Sequence, residues 1–289
     1  MNSLLNKQHS YSVFSLAVAI SLLASLIISS LFDMQSTLFY WVANALYSFV
    51  IGSVGFLYLK VQKMDVIANV KIKTKLRWFD FLFVAVAVFV AINFTTPINS
   101  WFCQLLEDAF PNYTAGVSIP QDSNWFQLIL VVCIFASINE EFLFRGIIAN
   151  GFLSKGPVYG ILLSSALFAL FHMNPAQTLP QFVLGCVFAL GFYKSQSVIV
   201  PIFAHFFSNL SVLLLSEFVE PTGFYQDNVL LAVAGSLIFV AVFFVYAKFT
   251  PKVESEKVEN TKVLAPTWVA FIFAIGWCLF NWIGNMVLA

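Results

Sequence analysis

Glu140, Glu141 and Arg145 fall within six residues of one another in INEEFLFRGIIAN (138–150), inside an otherwise apolar stretch. Two more polar sites interrupt apolar runs downstream: His172 closes SSALFALFH, and His205 and Asn209 lie in VIVPIFAHFFSNLSVLL. A carboxylate, two imidazoles and a carboxamide include no good covalent nucleophile. They do include what is needed to activate water against a carbonyl. A carboxylate held away from water is a stronger base than an exposed one. Glu140, aided by His172, can take a proton from water. His205 and Asn209 can present N–H donors to the developing oxyanion, typically worth about 2.7–4 kcal/mol per donor. The chemistry these residue types support is hydrolysis by direct water attack.

Helical geometry divides the charged group. Residues four apart share a face, whereas neighbours point about 100° apart. Glu141 and Arg145 form an i,i+4 pair with the glutamate on the favoured N-terminal side, which predicts a structural salt bridge. Glu140 has Phe144 at i+4, so its partner must come from another helix or from water. Phe168 stands at i−4 from His172 and can fix one side of the imidazole. Asn209 stands at i+4 from His205, so those two share a face.

The elements that position these groups follow from composition. The chain has 289 residues, 60% hydrophobic and 10% charged, against roughly 25% charged residues in a soluble domain. It reads as an integral membrane protein, and its net charge of zero offers nothing to a nucleic acid. Four scattered cysteines (Cys103, Cys133, Cys186 and Cys278) imply neither a disulfide framework nor a cysteine zinc site. The apolar run Tyr11–Phe32 exceeds a signal-peptide core and is expected to be a retained first span.

About 20 apolar residues make one helical span. Nine runs qualify or nearly so: 11–32, 38–59, 79–98, 126–150, 157–172, 180–193, 197–216, 229–247 and 265–288. The fifth and sixth are short and flank the turn-like HMNPAQTLP, so eight spans are an alternative. All 14 Lys and Arg fall toward one side, in the second, fourth, sixth and eighth connections and around their ends. The opposite connections carry Asp33, Glu107, Asp108, Asp122, Glu217, Glu220 and Asp227. By the positive-inside rule the N-terminus is expected in the cytoplasm and the C-terminus outside. The expectation is one all-α, polytopic transmembrane bundle over 1–289, with a catalytic core at 126–216 and a cytoplasmic polar loop at 248–263. The basic segment 61–77 can lie on an anionic leaflet or be a solvated loop. No repeat of a solenoid kind is visible. At about 1.5 Å per residue, Glu140, His172 and His205 come to similar depths. One cavity open to the cytoplasm can hold them all.

EEFLFR, FALFH and HFFSN then resemble the E-E-x-x-x-R, F-x-x-x-H and H-x-x-x-N motifs of the CAAX prenyl protease and bacteriocin-processing family of intramembrane proteases. They occur in order on separate spans, and the resemblance covers about 126–216. It implies a glutamic-type intramembrane endopeptidase with Glu140, His172, His205 and Asn209 as its active-site set, Glu140 being the base. Glu141, Arg145 and Phe168 would support them. The partners implied are the lipid bilayer and a protein or peptide substrate, membrane-bound or not, without any commitment to prenylation. The expected location is the plasma (inner) membrane of a bacterium. Glu140, His172 and His205 also make a His₂Glu set, the ligand types of a catalytic zinc site. Against zinc, no H-E-x-x-H helix is present and a further base would be needed, so no cofactor is expected. A transporter or binding protein also keeps polar groups in the membrane. That reading predicts broken helices in matching halves, whereas here the polar set is confined to 137–209.

Overall fold

The computed structural model describes residues 4–33, 36–73, 76–116, 120, 123–218, 229–249 and 262–287. Among the described residues, nine apolar helices lie close to the nine expected runs, joined by one short helix. In chain order they are α1 (Lys7–Leu31), α2 (Thr37–Val61), the short α3 (Val66–Val70), α4 (Trp78–Ala109) and α5 (Trp125–Leu153). Then come α6 (Pro157–Phe171), α7 (Thr178–Ser195), α8 (Ile199–Phe218), α9 (Val229–Phe249) and α10 (Ala265–Val287). Six of these, α1, α2, α4, α5, α7 with its preceding turn, and α10, are long and apolar enough to cross a membrane. Large side chains such as Leu57, Phe126, Phe244 and Phe273 face outward, as hydrocarbon-facing residues do. The protein is an all-α polytopic membrane bundle. Most of the expected polar loop at 248–263 lies outside the described residues.

Helix α5 is the central post. It packs against α1, α2, α3, α6, α7 and α8, while α9 leans mainly on α4 and α10 mainly on α1. Its backbone is not uniform. Wider π-helical turns at Leu128–Phe135 and Phe142–Ala149 flank an α-helical stretch at Ala136–Glu141. Such turns are frequent at functional sites. Helix α6 has 15 residues, about 22 Å at 1.5 Å per residue, against a hydrocarbon core of about 30 Å. It therefore ends inside the bundle, at His172.

The two ends of the bundle are knitted separately, in agreement with the alternation of charge. At the basic end, Lys71 Nζ donates to Gln196 Oε1 at 2.8 Å and Lys194 Nζ to the Ala247 carbonyl at 2.6 Å. Asp80, fully buried near that end, accepts from Arg77 at 2.8 Å and from Tyr246 Oη at 3.1 Å. At the other end, Asn99 Nδ2 donates to the Ala176 carbonyl at 2.8 Å and Trp282 Nε1 to Thr178 Oγ1 at 2.8 Å. Within the segment 61–77 the described residues are mostly exposed, but Met64, Asn69 and Val70 are buried, and Asn150 Nδ2 donates to the Asn69 carbonyl at 2.6 Å, which docks α3 under α5. The third helix also runs past its expected end, through Pro97 to Ala109.

Close approach of α2 to α5 depends on two glycines. A Cβ at Gly52 would collide with the Asn139 side chain, and one at Gly55 would come within 2.9 Å of Ile147 Cδ1. Overpacking of this kind typically costs about 1–3 kcal/mol. Gly52→Val is expected to lower the thermal unfolding midpoint of the detergent-solubilised protein. Phe49→Leu, on the exposed face of the same helix, should leave the midpoint unchanged.

Candidate active site

Three helices bring the expected residues to one cavity of about 590 Å³. Glu140 enters from the α-helical part of α5, His172 from the C-terminal cap of α6, and His205 and Asn209 from α8. All four line it. Glu140 Oε2 is buried and has no hydrogen-bond partner among the described residues. That is the position of a carboxylate awaiting water or substrate.

Glu141 does not line the cavity, and although its Oε2 is likewise buried without a partner among the described residues, its other oxygen is doubly engaged. Glu141 Oε1 accepts from Arg145 Nη1 at 2.7 Å, the expected ion pair, with both side chains completely buried. The same oxygen lies 2.8 Å from His205 Nδ1. Sequence reasoning missed this second contact, because it joins residues 64 apart on different helices. Arg145 is further held by its Nη2, which donates to the Gly185 carbonyl at 3.3 Å. Its guanidinium lies 4.3 Å from the ring of Phe168 and 5.1 Å from that of Phe188. Cation–π contacts of this kind gain strength when desolvated.

The two imidazoles are oriented by what their Nδ1 atoms meet. His172 Nδ1 lies 2.8 Å from the Phe168 carbonyl, which can only accept, so Nδ1 carries the proton. His205 Nδ1 faces a carboxylate oxygen, which selects the same tautomer when the ring is neutral. In both rings Nε2 is left for the cavity. Phe168 therefore acts on His172 through its carbonyl as well as its ring, whose centroid lies 4.8 Å from the imidazole. Phe188 stacks on His205 at 5.1 Å. Nothing in the sequence marked Phe188 among 34 phenylalanines. Asn209 Nδ2 donates to the Val132 carbonyl in the first π-helical turn at 2.7 Å, leaving its second N–H available.

The cavity is lined from the helix halves away from the basic end: Asn44 of α2, Thr96 and Asn99 of α4, Val132 of α5, Gln181 of α7 and Val212 of α8. Beside it, the buried rings of Phe168 and Phe188 pack on the imidazoles of His172 and His205. The depths inferred from sequence placed the polar groups together. They could not show which halves of the helices line the cavity. As to zinc, Glu140, His172 and His205 share the cavity, but among the described residues no three His, Cys, Asp or Glu side chains group as metal ligands.

The comparisons with known proteins fall on this part of the chain. Residues 122–211 match a family model described as Type II CAAX prenyl endopeptidase Rce1-like. The Bacillus subtilis (strain 168) protein named "Putative membrane peptidase YdiL" is 31% identical over 102 residues, 35% of this chain and 41% of that protein. The chain thus matches less than half of that relative's length. No solved structure matches. The segment containing α5 and the site residues of α6 and α8 is thus similar to the CAAX prenyl endopeptidase-like family model.

Removing one partner of a buried charge pair typically costs about 3–5 kcal/mol. Glu141→Gln strips the charge opposite Arg145 and weakens the tether on His205. It is expected to lower folded yield and thermal stability as well as any activity, read by size-exclusion profile and melting of the purified protein.

Proposed function

We propose that this protein is an integral membrane peptidase that hydrolyses peptide bonds by glutamate-activated attack of water. The observation that carries the reading is the buried, unpartnered Glu140 Oε2 in a cavity shared with His172, His205 and Asn209. Motif order and the family match support it. Water placed between Glu140 and the scissile carbonyl gives its proton to the carboxylate as its oxygen bonds the carbonyl carbon. The resulting oxyanion accepts from the free N–H of Asn209, and from His205 Nε2 when that ring is protonated against Glu141. Collapse breaks the C–N bond, and the departing amine takes a proton from Glu140, with His172 Nε2 assisting the transfer. Removal of one oxyanion donor typically costs about 10²–10³ in turnover. The bilayer is the setting, a bacterial plasma membrane the expected location, and a protein or peptide the substrate. Catalysis needs no metal in this reading.

Glu140→Gln is expected to abolish cleavage of a membrane-protein and peptide library by the purified protein while leaving its melting temperature near wild type. Preserved cleavage would sink the assignment of the base. Chelator treatment should leave cleavage unchanged. A loss reversed by added zinc would instead establish a metal enzyme.

A further inference from the structure

The inference concerns where the substrate comes from and what it is, and it rests on the peptidase reading above. Two independent observations meet. The first is the shape of the cavity. Glu140, His172, His205 and Asn209 line it together with residues from the halves of α2, α4, α5, α7 and α8 that lie away from the basic end. Helix α6 stops at His172, part-way through the bundle, and the space above its end is what the cavity occupies. On the flank, Asn44 of α2 and Thr96 of α4 line the cavity and are also exposed, so it reaches the outer surface of the bundle there.

The second observation is the distribution of charge. In the sequence, Lys and Arg fall before the first span and in or beside the second, fourth, sixth and eighth connections, whereas the other connections carry Asp and Glu alone among charged residues; the described Lys71, Arg77, Lys155 and Lys194 lie at the end away from the cavity lining. Basic connections stay on the cytoplasmic side. The cavity end is therefore the non-cytoplasmic one.

The lining chemistry narrows the occupant. Apart from Glu140 and the two histidines, the polar groups on the walls are the neutral side chains of Tyr, Asn, Ser, Thr and Gln, including Asn99, whose buried Oδ1 lacks a partner. Such walls can hydrogen-bond an extended backbone. They cannot compensate a desolvated charge, which costs several kcal/mol unless paired. We propose that the protein takes an uncharged stretch of polypeptide at the outer end of a membrane-anchored segment, entering from the non-cytoplasmic side, and not a cytoplasmic chain terminus.

The test has two arms. In the first, single cysteines are placed in a background with Cys103, Cys133, Cys186 and Cys278 all replaced by Ser, and cells expressing the full chain are treated with a membrane-impermeant maleimide. Thr96→Cys at the cavity rim and Gln104→Cys on the exposed surface of α4 should be labelled in intact cells as fully as after permeabilisation. Lys155→Cys, at the basic end, should be labelled after permeabilisation alone. The reverse pattern overturns the orientation. Labelling of Gln104→Cys without any labelling of Thr96→Cys overturns the open cavity. In the second arm, one uncharged segment is fused to either end of a single-span anchor and co-expressed with wild type or Glu140→Gln. The outward-facing fusion should be cut by wild type and spared when two lysines are inserted in the segment. Cleavage of the cytoplasmic fusion, or indifference to the lysines, overturns the substrate class. If neither fusion is cut while the labelling holds, the peptidase reading fails and the outward opening stands.

Discussion

One carboxylate oxygen holds the core of this bundle together. Glu141 Oε1 accepts from Arg145 on its own helix and from His205 on α8. Arg145 reaches the α7 backbone at Gly185 and lies between rings from α6 and α7. Four helices are thus tied at a single buried point. Burying two charges carries a desolvation penalty of several kcal/mol per ion, offset only when geometry and additional hydrogen bonds are good. Here the extra contacts are a carbonyl, two aromatic faces and an imidazole. Because the helix is fixed at Glu141, the next residue back is fixed too. Rotation of about 100° per residue turns Glu140 away from this cluster and toward the cavity.

The second constraint is the length of α6. A helix that crossed fully would fill the volume above His172. Ending at His172, it leaves room for a cavity while its own terminal carbonyl groups stay inside protein. Irregular backbone at membrane depth is tolerated where it is covered by protein or lines a cavity. The turn after His172 meets both conditions. Asn174 Oδ1 accepts from the Ala176 amide at 2.9 Å, and Asn285 Nδ2 from α10 donates to the Met173 carbonyl at 2.7 Å. The peripheral last helix, outside the family match, thereby helps close the hairpin that carries a site residue.

Much of this was legible in the sequence, for reasons that are local. Span length and charge alternation are properties of contiguous residues, so the helices fall near the expected runs. The Glu141–Arg145 pair is an i,i+4 contact and needs only a helix to form. The Glu141–His205 contact, the Phe188 stack and the fit of Gly52 to Asn139 depend on how helices pack, which a single apolar sequence does not encode in any short pattern. The π-helical turns have no residue signature here, since LILVVCIF reads as an ordinary apolar helix. Depth arithmetic locates a residue along the membrane normal, but which halves of the helices line the cavity depends on how they pack.

Two adjacent glutamates in a low-dielectric interior would repel if both were ionised, and one would tend to hold a proton. Arg145 removes that conflict. Paired with it, Glu141 adds no net charge beside Glu140. His205 faces a carboxylate already shared with a guanidinium, which orients its ring. The E-E-x-x-x-R pattern can therefore be understood as a charge-balanced mount, in which one carboxylate is paired and immobilised so that its neighbour is aimed into the cavity.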